Sequence, residues 1–144
     1  MNPLSLSGLE LLRAGAAGQL PPPTITQTIP MTVVTVDSGY VKFTARADGR
    51  HLNPLGGVHG GFAATVLDSV TGCAVHSMLE AGVGYGTVDL SVKMLRPVPR
   101  DVELIAEGRA LHVSKTLGVA EGSLKTADGK LLALASATCI IQRP

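Results

Sequence analysis

The sequence predicts an α+β domain in which an antiparallel sheet of about six strands wraps around one long central helix, with a short helix at the N-terminus. Three observations predict it. Residues 60–80 read as one long helix with apolar side chains pointing in every direction, which calls for enclosure rather than a surface position. From Thr87 the hydrophobic period switches to two, and it holds through successive strands to the C-terminus. A hairpin precedes the helix, and together with the later strands it can wrap the helix economically.

Each element follows from local chemistry. Ser7 to about Ala17 is an amphipathic helix with Leu9, Leu12 and Ala16 on one side, punctuated by Gly18 and stopped by Pro21-Pro22-Pro23. Thr24–Val36 is rich in β-branched residues and predicts a strand. Asp37-Ser38-Gly39 is a turn, and Tyr40–Ala47 is the returning strand. Asp48–Gly57 holds two glycine-containing turns and a proline, so it is a loop. It leads into the helix Gly60–Glu80, closed by Gly82. In Thr87–Arg96, Val88, Leu90, Val92 and Met94 face one way and Thr87, Asp89, Ser91 and Lys93 the other. Strands over Asp101–His112, Thr116–Thr126 and Lys130–Gln142 complete the set, the last two joined through Asp128-Gly129. Without repeats or a linker, residues 1–144 read as a single domain, with 1–23 a helix and proline-rich lead-in.

Composition narrows the function. The 144 residues carry 12 Lys+Arg and 11 Asp+Glu, a formal net charge of +1, and no basic run. That balance argues against a non-specific role with nucleic acid or an anionic membrane. Residues 58–79 are long enough to span a bilayer, but they carry His59, Asp68 and His76, and a buried helix in a water-soluble protein costs far less than Asp68 in lipid. The N-terminal apolar stretch lacks a basic lead and is interrupted by Glu10 and Arg13, unlike a secretory signal. Two cysteines, Cys73 and Cys139, match no metal spacing and no disulfide framework, so a cytoplasmic setting is expected.

Two features carry chemistry. Asp68 sits in the middle of the long helix, where a buried carboxylate must find partners, shift its pKa or face a cavity. It is either a structural carboxylate bonded to neighbouring backbone or a general base or nucleophile. The helix starts at His59-Gly60-Gly61, and glycines there leave unhindered N–H groups at the positive end of the dipole, the makings of an oxyanion site. Gly60 and Asp68 are eight residues apart, roughly 12 Å along a helix. One chain cannot bring both to one carbonyl carbon, whereas two antiparallel copies of the helix can. If both act, the protein is at least a dimer with shared sites.

The segments NPLGGVHGGFAATVLDSVTGCAV, GTVDLSVKMLRPV and DGKLLALASATCII, within residues 25–142, resemble the hotdog-fold acyl-CoA thioesterases of the phenylacetate-pathway (PaaI-like) group. The combination of Asn53, His59-Gly60-Gly61 and Asp68 with a Thr-Val-Asp-Leu strand carries the resemblance. It implies hydrolysis of an acyl-CoA to a free acid and coenzyme A. Gly60 would donate its N–H to the thioester oxygen, with Gly61 beside it on the substrate side, and Asp68 of the other subunit would be base or nucleophile. Asn53 would hold the water or thioester, His59 would position the helix start, and Thr87 would orient water near the carboxylate. Ser114 and Lys115 stand where the family contacts the nucleotide. Arg96 is a further cationic candidate, with Lys93, Arg100 and Arg109 behind it. The usual state of such proteins is a homotetramer built from two dimers.

Such chemistry needs no cofactor: a polarised carbonyl, a carboxylate and one water suffice. The spacing of His51, His59, His76 and His112 fits no zinc site, Cys73 reads as core, and His76 as a packed histidine. Phe62, Leu67 and Met78 are the candidates for acyl-pocket walls. Two alternatives stand beside hydrolysis. One is a non-catalytic acyl-CoA-binding protein. The other is a hotdog enzyme of the enoyl-CoA hydratase type, disfavoured because no close Asp–His pairing is evident.

Overall fold

A computed structural model covering residues 1–144 gives, in order, α1 (Gly8–Ala16), β1 (Met31–Asp37), β2 (Tyr40–Ala45), α2 (Gly60–His76), β3 (Gly84–Met94), β4 (Leu104–Val113), β5 (Leu117–Thr126) and β6 (Leu131–Gln142). The strands form one six-stranded sheet in the order β1-β2-β4-β5-β6-β3, every neighbouring pair antiparallel. The chain leaves α2 and drops to the far edge of the sheet, so β3 pairs only with β6, leaving its other edge open. The sheet bends over α2, which packs against β2 through β6. No helix is long and apolar enough to cross a membrane.

The core lies between helix and sheet. Phe62, Val66, Leu67, Val70 and Val75 of α2 meet Val41, Leu104, Leu124 and Leu132, all 2% exposed or less. Burying each such side chain contributes roughly 1.5–3 kcal/mol. Helix and sheet approach closely because glycines lie beneath the contact. A Cβ on Gly108 would stand 2.1 Å from the carbonyl oxygen of Val70, and one on Gly122 would stand 3.1 Å from Thr71 Cγ2. At the other end α1 is tied down by a capping box, in which Ser7 Oγ accepts the Glu10 N–H at 3.2 Å and Glu10 Oε2 accepts the Ser7 N–H at 3.0 Å. The Gly8 N–H then donates to the Leu79 carbonyl at 3.0 Å.

Four expectations need correction. Residues 24–30 are not strand: Thr24–Gln27 form a 3-10 turn. The Thr26 and Thr28 hydroxyls donate to the carbonyls of Pro23 and Ile25, and Pro30 has no N–H for a ladder. The long helix ends at His76, a turn early. Ser77, 4% exposed, donates to the Ala74 carbonyl and accepts the Gly39 N–H, which ties the chain to the β1–β2 turn. In β3 the strand register shifts between Thr87 and Asp89. Val88 is the extra residue and is 60% exposed, so Thr87 lies opposite buried Cys139 while Leu90, Val92 and Met94 lie opposite Ala137, Ala135 and Ala133. Finally, α2 is not enclosed. One side, running through Gly61, Ala64, Thr65, Asp68 and Ser69, is left partly or fully open by this chain.

If the glycine contact sets the height of the helix over the sheet, Gly108→Ala destabilises the protein by about 3 kcal/mol, the upper end for overpacking against atoms that cannot yield. Chemical denaturation measures it. A variant as stable as wild type would show that helix and sheet can separate without cost.

Candidate active site

The entry to α2 is assembled by the loop before it. His51, 7% exposed, accepts the Asp48 N–H at Nδ1 (2.9 Å) and donates from Nε2 to the Thr28 carbonyl (2.5 Å). Its own carbonyl takes the His59 N–H at 2.7 Å. Inside that clasp Leu52 bridges Val58, and Asn53 Oδ1 accepts the N–H groups of Leu55 (3.0 Å) and Gly57 (3.2 Å). The loop is therefore held before any ligand arrives. His51 is the supporting residue that sequence reading left unassigned; its only signal was a histidine in a glycine- and proline-containing loop, which specifies no partner.

His59 is the N-cap of α2. Its Nδ1 accepts the Gly61 N–H at 2.7 Å, which leaves the ring proton on Nε2, and its carbonyl accepts the Phe62 N–H at 3.0 Å. Of the first three helical N–H groups, only that of Gly60 has no partner within the chain. It sits at the positive end of the helix dipole, where an anionic or polarised oxygen is stabilised. The Gly61 amide is already used, and what Gly61 supplies is space: a Cβ there would stand 2.9 Å from His59 Nδ1.

Asp68 is exposed on the open side of α2. Its carboxylate makes no hydrogen bond and no ion pair within the chain, so a structural role inside this protomer has no support. Thr65 and Ser69, its neighbours on that side, turn their hydroxyls back onto the carbonyls of Gly61 and Thr65. Thr71 is fully buried and likewise bonded to the carbonyls of Leu67 and Asp68. Thr87 Oγ1 is 3.8 Å from Cys139 Sγ, and the negative charge of Asp68 reaches the same corner, adding to the burial that raises the Cys139 thiol. Burial also pushes the Cys73 thiol up to about 12, with Asp68 adding to it, so neither cysteine is a ready nucleophile.

The other candidates separate. His76 packs its ring 5.3 Å from Tyr85, and burial lowers its pKa. Ser114 closes the β4–β5 turn on Leu117, with Lys115 exposed next to it; both lie at the Thr87 end of the sheet. Arg96 donates to the Leu131 carbonyl at 3.0 Å, at the opposite end, beside Gly60. An Asp–His pair does exist, contrary to the sequence reading: His51 Nδ1 and Asp48 Oδ1 are 3.4 Å apart. Both ring nitrogens are committed, however, and Asp48 is bound by Arg50. Phe62 and Leu67 face the core, and Met78 packs over Gly39 instead. A small cavity of about 170 Å³ adjoins Gly60 and is lined by Val58, Ala63, Met94, Val98 and Leu132 among others. The larger depression, about 520 Å³, lies on the outer face of the sheet among Ser91, Lys93, Glu107, Arg109 and Glu121, away from both Gly60 and Asp68. No group of three His, Cys, Asp or Glu side chains is placed to hold a metal.

Comparison with known proteins adds a family. The profile of the Thioesterase superfamily matches residues 55–133. A phenylacetic acid degradation-related protein of Ralstonia eutropha superposes with a TM-score of 0.81 at 31% identity, over 90% of this chain and 98% of that one. A thioesterase protein of Streptococcus pneumoniae solved with coenzyme A gives a TM-score of 0.71 at 25% identity, over 79% and 91%. Human acyl-coenzyme A thioesterase 13 is 28% identical over 104 residues, 72% of this chain and 74% of that protein. A Halobacterium salinarum protein named as an esterase is 47% identical over 73 residues, 49% of this chain. The chain spans about half of that relative, 47% of its length.

The loop geometry separates two tasks for Asn53. Asn53→Ala loses both acceptor contacts and lowers stability by roughly 1–3 kcal/mol. Asn53→Asp keeps the acceptor oxygen and stays within about 0.5 kcal/mol of wild type. Thermal melts of the two variants check this, and equal losses would mean that the side-chain oxygen does not hold the loop.

Proposed function

The chain belongs to the thioesterase superfamily, and from that membership we propose that it hydrolyses an acyl-CoA to a free acid and coenzyme A at a site shared by two copies of the chain. One observation carries the reading: α2 holds an unpartnered amide at Gly60 and an unpartnered carboxylate at Asp68, on a helix with one side left open. They are roughly 12 Å apart along the axis, too far to act on one carbonyl from one protomer. Topology supports a second copy. β3 is an 11-residue strand with one edge unpaired, a ready surface for antiparallel pairing with itself. Gly60, Met94 and Arg96 lie toward one end of β3 and Thr87 toward the other. Antiparallel pairing brings the Gly60 end of one copy toward the Asp68 and Thr87 end of its partner. A tetramer of two such dimers follows from the family likeness.

The chemistry then runs on this chain's own groups. The thioester oxygen accepts the Gly60 N–H, and the helix dipole favours the charge that develops there. Asp68 of the facing copy either takes a proton from water as it attacks the carbonyl carbon, or attacks that carbon itself to give an anhydride that water opens. The C–S bond breaks, the thiolate of coenzyme A leaves and is protonated, and the acid is released. Thr87 holds the water near the carboxylate. Asn53, with its oxygen committed to the loop, offers Nδ2 to the thioester. His59 keeps the Gly61 amide occupied and the helix start rigid. Ser114 and Lys115 on the Thr87 side are offered to the nucleotide phosphates, and Arg96, which lines the recess beside Gly60, to the substrate at that end. No cofactor takes part, and a cytoplasmic setting suits the substrate.

Two variants test the roles. Asp68→Asn keeps its melting temperature, because the carboxylate has no partner to lose, and its turnover of acyl-CoA falls roughly 10²-fold or more. Unchanged kcat removes Asp68 from the chemistry, whereas a wild type that binds acyl-CoA without turning it over is a binder rather than a hydrolase. Gly60→Pro deletes the free N–H at a helical position that tolerates proline, after His59 at ψ 137°, a backbone that proline favours before it. The ring pushes aside the flexible, half-exposed end of Met94, so the fold survives by circular dichroism, while kcat/KM falls by about 10²–10³. A folded variant with normal kcat/KM removes the amide from the mechanism.

A further inference from the structure

Resting on the thioesterase reading, we propose that the cavity beside Gly60 receives the acyl chain, and that Met94 is the movable wall that sets its length at about six carbons. Met94 ends β3 opposite Ala133 on the side facing α2. Its thioether lies directly over Gly60: a Cβ there would meet Sδ at 2.6 Å and Cε at 2.8 Å. The same side chain lines the 170 Å³ cavity with Val58, Ala63, Val98 and Leu132, and Arg96 contributes the one charged side chain to its wall. An acyl carbonyl hydrogen-bonded to the Gly60 N–H therefore has its hydrocarbon substituent at the mouth of a mostly apolar recess, with Met94 lying across that mouth.

Size and flexibility set the selectivity. A sealed apolar cavity of about 150 Å³ accepts a benzene-sized guest, and this partly open recess is of similar size, so a chain of about six carbons is the expected fit. Met94 is 54% exposed, unlike Leu90 and Val92 earlier on the same face. Methionine has an unbranched, easily rotated side chain that adapts to what it covers. It can swing aside for a short chain, but a longer one must displace it from the cavity altogether. Phe62 and Leu67 cannot take this role because they point into the core. Met94 acts on which substrate fits, and the reacting atoms stay with Gly60 and Asp68.

The test is kcat/KM for straight-chain acyl-CoAs from acetyl to dodecanoyl, on wild type, Met94→Ala and Met94→Leu. Wild type is expected to peak near hexanoyl. Met94→Ala removes three heavy atoms and should raise the decanoyl-to-hexanoyl ratio at least about tenfold, since each methylene accommodated in an apolar pocket is worth that order. Met94→Leu, similar in volume, should keep the wild-type profile. Met94 lies outside the buried core of its own protomer, so its truncation leaves that core intact; because its end of β3 faces the partner in the proposed dimer, a thermal melt and light scattering check fold and assembly together. A Met94→Ala enzyme that is active with an unchanged chain-length profile overturns the proposal and leaves the thioesterase reading standing. A wild type that hydrolyses no acyl-CoA of any length overturns both.

Discussion

Helix α2 can lie on the sheet only because glycines stand beneath it. Gly108 brings β4 against the Val70 carbonyl, Gly118 gives room to Val75, and Gly122 lets Thr71 and Val70 down onto β5. The helix sits so low that a curved sheet takes up most of its circumference, and seven apolar side chains from Phe62 to Val75 are removed from water there. What the sheet does not reach is one narrow side, and that side carries the helix's carboxylate, Asp68. The loop from Asp48 to His59 completes the constraint from the N-terminal end. It is pinned through buried His51 to Thr28, so the first turn of α2 starts from a rigid point.

That arrangement explains why the Gly60 amide and the Asp68 carboxylate are left without partners. A helix N-terminus has N–H groups that need acceptors. Here His59 serves two of the first three, through its ring and its carbonyl, and leaves Gly60 free. Hydroxyls near Asp68 satisfy themselves on the helix backbone, so the carboxylate is neither bonded nor paired. An unengaged donor and an unengaged carboxylate stand on one rigid rod, separated by two turns and more, and in the proposed reading each chain contributes half of each of two sites. The open edge of β3 is where that reading joins the halves.

Most of this was legible in the residues. The helix was marked by its composition and by His59-Gly60-Gly61, the later strands by their period of two, and the hairpin turns by Asp37-Ser38-Gly39 and Asp128-Gly129. What was not legible depended on tertiary partners. Ser77 ends the helix early because it reaches the Gly39 turn 38 residues away, a contact no local pattern encodes. The β-branched run after Thr24 read as strand, yet its threonine hydroxyls close a 3-10 turn on preceding carbonyls. The bulge at Val88 reverses the alternation, so Thr87 turns inward where a strict period of two put it with the polar residues. The open side of α2 was hidden for a related reason: Gly61, Ala64 and Thr65 are small and read as neutral between a buried face and an exposed one.

A shared site is tested most directly by mixing two inactive chains. Asp68→Asn and Gly60→Pro each spoil every site of their own homodimer. Unfolded together and refolded, they form mixed dimers with two unlike sites. One site collects both substitutions and is dead, and the other joins the intact Asp68 of one chain to the intact Gly60 of its partner. With random pairing, half the dimers are mixed and each has one working site of two, so the mixture should recover about a quarter of wild-type kcat. Activity no higher than the sum of the two variants alone would contradict a site built from two chains.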